Sequence, residues 1–206
     1  MTGRMVKSKG FWAGVIGGIS MVFYMLLVRP LQRRWGATDE EVARSMPGDD
    51  VVWHPTFIAT RGLTIQAKPE EIWPWMVQIG CQRAGWYGYE WVDNTAIPAT
   101  DSILLEYQDL HPGDLVPTNP QGNTGLWVKA IEPNLYLLLW DKRGDVTWAF
   151  GLYPQDDNHT RLISRIRFRY PRKFPGVLYG LLVDMGDVFA MRQCMLGIKN
   201  RAESRT

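Results

Sequence analysis

Three rhythms of apolar and polar positions divide the chain. From Phe11 to Val28 there is no polar face at all, and no charge interrupts about 18 residues. At about 1.5 Å per residue this is just long enough to cross a hydrocarbon core. Arg4, Lys7 and Lys9 precede the run, Arg29, Arg33 and Arg34 follow it, and Trp12 and Tyr24 sit near its ends as interfacial anchors do. A buried core helix would show a polar face. A cleaved signal peptide would end in small residues, where this run ends Leu27-Val28-Arg29-Pro30. The pattern predicts a transmembrane anchor over residues 1–30, single-pass in the cell membrane. The basic residues are balanced across it, so the side on which the rest of the chain lies is not decided. Gly10, Gly14 and Gly18 share one face, a spacing that would let two such helices pack as a homodimer; small residues without that consequence are the alternative.

The second rhythm is helical. Thr38-Asp39-Glu40-Glu41 has the form of a capping box and predicts a short helix to about Met46, where Pro47-Gly48 stops it. It belongs to a linker over residues 31–55. Pro69 suits a first helical position, Glu70 and Glu71 favour the first turn, and Ile72, Trp75, Met76 and Ile79 recur at helical spacing up to Gly80. Glu90 to Asn94 extends as a second short helix. Gly176 to Arg201 predicts one long helix of about seven turns. Leu178, Leu181, Leu182, Met185, Phe189, Met195 and Leu196 would form its apolar stripe, with Asp184, Asp187 and Met191 on another line.

The third rhythm has period two. Phe57 to Ala67, Asp114 to Pro117, Leu126 to Ile131, Tyr136 to Trp140, Val146 to Tyr153 and Thr160 to Tyr170 read as strands between short turns, which implies an antiparallel meander. In the last strand Arg161, Arg165, Arg167 and Arg169 share one face and Leu162, Ile166, Phe168 and Tyr170 the other. A solvated outer face paired to carboxylates of neighbouring strands is the plain expectation for the arginines; a ligand-anion site is the sharper one.

Composition narrows the function. The net charge of +2, without a clustered basic patch, gives no sign of nucleic-acid binding. Cys81 and Cys194 are too few for a disulfide framework, leaving two buried thiols or a single bridge. His54, His111 and His159 have no metal-ligand spacing, and no motif for a cofactor is present. The chain holds ten tryptophans, four of them between Pro69 and Trp91. There Gln82 to Tyr89 mixes small residues with large amphipathic rings, as a pocket wall would.

The order strand, helix pair, antiparallel meander, long C-terminal helix resembles the helix-grip fold of the START, polyketide cyclase and pollen-allergen superfamily, SRPBCC. The run AKPEEIWPWMVQIG resembles the superfamily's opening. QRAGWYGYEWVDN, LHPGDLVP, TWAF, TRLISRIR and MRQCMLGIKNRAE resemble a bacterial subgroup to which no activity is assigned. The resemblance covers roughly residues 55 to 203, within a domain over residues 56–206. It implies an α+β fold in which a curved antiparallel sheet wraps a long helix around an elongated cavity for a lipid or another hydrophobic small molecule.

In that frame the candidate ligand-binding residues are Trp75, Gln78, Arg83, Trp86, Tyr87, Tyr89, Trp148, Phe150, Asp187 and Met191, with Glu90 and Asp184 as further polar groups. Arg83 would pair with a ligand carboxylate, or with Asp184 or Asp187. Tyr87 and Tyr89 would donate to a ligand carbonyl, or be wall residues. No nucleophile elbow or His/Asp pair marks a catalytic residue. Three functions compete: a membrane-tethered binding module for a hydrophobic molecule, a cyclase, dehydratase or hydrolase acting on a polyketide-like or aromatic substrate, and an accessory membrane protein with no ligand.

Overall fold

Short turns between strand-forming runs leave each strand its sequence neighbour as the nearest partner. The computed structural model describes residue 12 and residues 15–88, 98–170 and 176–204. Strand β1 (Phe57–Ile65) is followed by β2 (Leu115–Pro117), β3 (Gly125–Glu132), β4 (Tyr136–Trp140), β5 (Val146–Pro154) and β6 (Thr160–Phe168). They form one antiparallel six-stranded sheet in the order β1-β6-β5-β4-β3-β2. Among the described residues four α-helices accompany it, α1 (Val15–Arg33), α2 (Asp39–Ala43), α3 (Pro69–Val77) and α4 (Gly176–Glu203), with a 3-10 turn at Leu105–Tyr107. The architecture is α+β.

One sheet face and the helices α3 and α4 share the main core. Leu137, Leu139, Phe150 and Leu162 meet Ile72, Trp75 and Met76 of α3, and Met191, Met195 and Ile198 of α4. Each such side chain contributes about 1.5–3 kcal/mol by leaving water. The buried face of α4 differs from the expected stripe. Met191 and Cys194 are inside, while Phe189 is 57% exposed. The side chains of Leu178, Leu181, Leu182, Asp184 and Met185 lie outside the described residues, as do Gly10, Gly14 and the helix expected over Glu90 to Asn94.

The other sheet face corrects the plain expectation for the strand arginines. Arg165 is buried, and the carboxylates that meet Arg161, Arg165 and Arg167 come from the linker; only Arg169 follows the expectation, partly exposed and paired with Asp145 in the turn before β5. Helix α2 closes its capping box, with Glu41 Oε2 accepting from Thr38 N–H at 2.8 Å and Thr38 Oγ1 accepting from Glu41 N–H at 3.2 Å. The Glu41 carboxylate then takes a two-pronged grip from Arg161, at 2.6 and 3.0 Å. Arg165 donates to the carbonyls of Glu41 (2.9 Å) and Val42 (3.0 Å) and to Asp49 Oδ2 (2.6 Å). Carbonyls at a helix end need donors, and Arg165 supplies them. The linker is thereby fastened across the sheet, over a small cluster of Met46, Leu138, Ala149 and Ile163.

Helix α1 has 19 residues, none of its apolar stretch is buried, and it is long and apolar enough to cross a membrane by length and composition. Its turn widens over Tyr24–Val28, where Arg29 N–H reaches back to Tyr24 O. Pro30 follows, lacking an N–H and crowding the carbonyl four residues back, which accounts for the widening. The end of α1 and the residues after it meet the edge strand: Gln32 O accepts from Arg61 Nε at 3.3 Å and Trp35 O from Gly62 N–H at 3.2 Å.

Two carboxylates make the assembly acid-sensitive. Burial alone would raise the pKa of Glu41, but hydrogen bonds from Arg161 and Thr38 outweigh it and the net shift is downward from 4.5. Glu203 behaves likewise, held down by Gln66 N–H and Lys199 against its burial. A carboxylate with a depressed folded pKa stabilises fully above its unfolded value, and that contribution is lost as pH falls through the folded value. Thermal unfolding should therefore be flat from neutral pH to about pH 5 and fall steeply below it. Glu41→Gln should lower the midpoint at neutral pH and flatten the acid limb.

Candidate functional site

The residues after α3 build the site by returning the chain on itself. Gly80 and Gly85 exchange backbone hydrogen bonds, both at 3.1 Å, closing a tight loop. Gly80 has φ +127° and Gly85 φ +83°, a region that glycine enters at little cost. Arg83 folds back over the end of α3, its Nη2 donating to Val77 O (2.8 Å) and its Nε to Ile79 O (3.1 Å). A cation on terminal helix carbonyls is favourable. The guanidinium also lies 4.4 Å from the Tyr107 ring centroid. Burial lowers its pKa, against the charges of Tyr107 and Asp114.

Gln78 ties the neighbouring loop in place. Its Nε2 donates to Tyr87 Oη (2.8 Å) and Ser102 O (3.1 Å), and its Oε1 accepts from Leu104 N–H (2.9 Å) and Gln108 Nε2 (3.2 Å). All four hydrogen-bonding places on the amide are filled. Tyr87 stands edge-on to Trp75, and Arg201 of α4 lies 4.2 Å from its ring centroid. Burial pushes the Tyr87 phenol well above its ordinary pKa, although the Gln78 hydrogen bond and the Arg201 charge pull the other way. Helix α4 passes so near that a Cβ on Gly197 would lie 2.3 Å from Tyr87 Cβ.

Trp86 turns to the sheet instead. Its ring stacks on Trp148 of β5, with centroids 5.1 Å apart and planes within 10°. Each indole N–H has a partner, Trp86 donating to Pro117 O (3.2 Å) and Trp148 to Ser164 Oγ (2.9 Å). These rings wall a cavity of about 250 Å³ between sheet and long helix. Thr118 and Pro120 come from the loop after β2, and Asp187, Ala190, Met191 and Cys194 from α4. At its edge Asp187 Oδ2 accepts from Arg61 Nη2 at 2.7 Å, in a pair whose side chains are 11% and 2% exposed. The wall is thus aromatic and aliphatic, with one neutralised carboxylate and one thiol.

Of the residues expected around a ligand, Trp86, Trp148, Asp187 and Met191 line this cavity. Phe150 backs Trp148 at 4.9 Å. Trp75, Gln78 and Tyr87 are buried around the loop that carries Trp86. Arg83 is bonded to main-chain carbonyls, and the partner of Asp187 is Arg61 rather than Arg83. Tyr89 and Glu90 lie outside the described residues. Arg61 is not among the residues expected at the site, although it shares parity with the buried apolar positions Phe57, Ala59, Leu63 and Ile65 of β1. Cys194 was legible as the position seven after Asp187 and three after Met191 on one helix face. Among the described residues no cluster of His, Cys, Asp and Glu could hold a metal ion.

Two substitutions probe this construction. Asp187→Ala leaves the Arg61 guanidinium buried without its carboxylate and should cost about 3–5 kcal/mol in denaturant unfolding. Arg61→Met with Asp187→Leu should recover most of that. A loss of about 0.5 kcal/mol or less, as at an ordinary surface position, would show that the pair does not hold α4. Gly197→Ala should cost about 1–3 kcal/mol by overpacking against Tyr87, read as a lower unfolding midpoint.

No family model and no curated protein matches the chain. Among solved structures it is similar to a protein from Mesorhizobium loti, with 16% identity over 73% of this chain and 99% of that one and a TM-score of 0.44. It is also similar to a conserved protein of unknown function from Enterococcus faecalis, with 14% identity over 75% and 86% of the two chains and a TM-score of 0.40. A protein from Chromobacterium violaceum gives 12% identity, 71% and 96% coverage and a TM-score of 0.39.

Proposed function

We propose that this chain is a membrane-tethered, helix-grip (SRPBCC-type) binding protein that holds a small hydrophobic molecule between its sheet and its long helix. The observation that carries the reading is the stacked Trp86–Trp148 pair forming one wall of a cavity whose remaining lining is mostly small or aliphatic. Flat aromatic walls with few polar groups suit an apolar ligand. At about 250 Å³ the cavity is just below the usual range of ligand pockets, about 300 to 1,000 Å³. A one- or two-ring compound suits it better than a two-chain lipid. The unburied apolar surface of α1 supports the tether, and tethering raises the local concentration of a membrane-partitioned ligand, so modest affinity suffices.

The binding reading is preferred to a cyclase or hydrolase because of what the polar groups do. Arg83 is engaged by backbone carbonyls and Tyr87 by Gln78. Both are used by the scaffold that presents Trp86.

Native mass spectrometry of the full-length protein released from detergent tests the reading. Wild type should carry a small apolar molecule, and Ala190→Phe, which fills the cavity from α4, should carry none while keeping its unfolding midpoint. Equal retention by the two proteins would remove this cavity as the binding place.

A further inference from the structure

A second cavity, of about 640 Å³, lies on the opposite face of the sheet, at the foot of α1. Its lining is lopsided. Six arginines (Arg29, Arg33, Arg34, Arg44, Arg165 and Arg167) share it with a single carboxylate, Asp49, among the described residues. That carboxylate is already engaged, accepting from Arg165 at 2.6 Å and from Arg167 at 3.3 Å. The arginines arrive from three separate parts of the fold: the end of α1 and the residues just after it, the linker, and strand β6.

Structural needs account for some of them. Arg165 satisfies carbonyls of the linker, and Arg34 reaches Asp39 at the rim. Arg29 Nη2 donates to Tyr170 Oη at 3.4 Å and the Arg33 guanidinium lies 4.5 Å from the Phe57 ring centroid. Arg44 is exposed, with its guanidinium 4.6 Å over the Tyr153 ring. Arg167 Nε is buried with no hydrogen-bond partner among the described residues. Guanidinium groups converging on a partly enclosed space match the forked geometry of phosphate oxygens. The remaining lining includes Met25 and Pro30 of α1 and Ile58 of β1, an apolar flank beside the charged one.

We propose that this cavity binds the phosphate of an anionic lipid headgroup, with the acyl chains running along the exposed side of α1. The bilayer as the source of that phosphate rests on the membrane reading of α1; the phosphate chemistry does not, and a soluble phosphate ester would use the same groups. If α1 spans the bilayer, its closing turns, which carry Arg29, Pro30 and Arg33, stand at headgroup depth. Basic residues at that depth are drawn to an anionic surface.

The test uses the full chain in two arms. In the first, protein in nanodiscs of phosphatidylcholine with a minor fraction of phosphatidylglycerol is released, and retained lipid is identified by native mass spectrometry. In the second, thermal unfolding in neutral detergent is followed with inorganic phosphate against chloride at equal ionic strength. Wild type should retain phosphatidylglycerol selectively and be stabilised by phosphate. Arg34→Gln with Arg44→Gln should weaken both responses about tenfold or more. Arg143→Gln with Arg169→Gln removes the same charge away from the cavity and should leave both unchanged, as should Ala190→Phe on the other face. A phosphate response without lipid selectivity assigns a soluble phosphate ester to the site and removes the membrane as its source. The proposal is overturned if neither arm separates Arg34→Gln with Arg44→Gln from wild type.

Discussion

A guanidinium on the wrong side of a sheet organises this protein. Period-two alternation puts Arg61 among Phe57, Ala59, Leu63 and Ile65, on the face that must be dry. A buried cation needs a carboxylate, and α4 brings Asp187 to 2.7 Å. Once Asp187 is fixed, the rotation of the long helix is fixed too. Met191 and Cys194 follow inward at one and two turns, and Phe189 is turned out. Buried ion pairs add little net stability over an apolar substitute because both charges are desolvated. Here the pair selects one helix orientation, and with it the cavity under Trp86. The same guanidinium bonds Gln32 O, so the end of α1 is registered against the same point.

The opposite face repeats the logic with different partners. Arg161 and Arg165 project where a plain sheet would meet water, and the linker supplies Glu41, Asp49 and the carbonyls of α2. The stretch between α1 and β1 is therefore a covering layer rather than a loose spacer. It holds α1 close to the sheet and creates the arginine-lined hollow between them.

Much of the fold could be read from local signals. The six strands were legible because alternation and turn residues agree, and the capping box at Thr38 and Glu41 named its helix outright. The lining of the candidate cavity was legible only in part. Trp86, Trp148, Asp187 and Met191 were expected at a cavity and line one. Arg83 and Tyr87 are spent on the scaffold, because a polar group in an aromatic segment looks the same whether it faces a ligand or a backbone carbonyl. Arg61 was not legible as a core residue because a lone charge in a strand ordinarily faces water, whereas here it is buried within β1 in register with β6. Which carboxylate answers which arginine depends on contacts more than 100 residues apart in sequence, and no local pattern carries that information.

The Trp86–Trp148 stack has an optical corollary. Two indoles 5.1 Å apart and nearly parallel do not absorb independently. Their transition dipoles couple, and the chiral frame around them converts that coupling into a paired circular-dichroism band of opposite signs. Anything that slides against the stack and tilts one ring changes that band. The protein thus carries a built-in, label-free gauge of what happens beside β5.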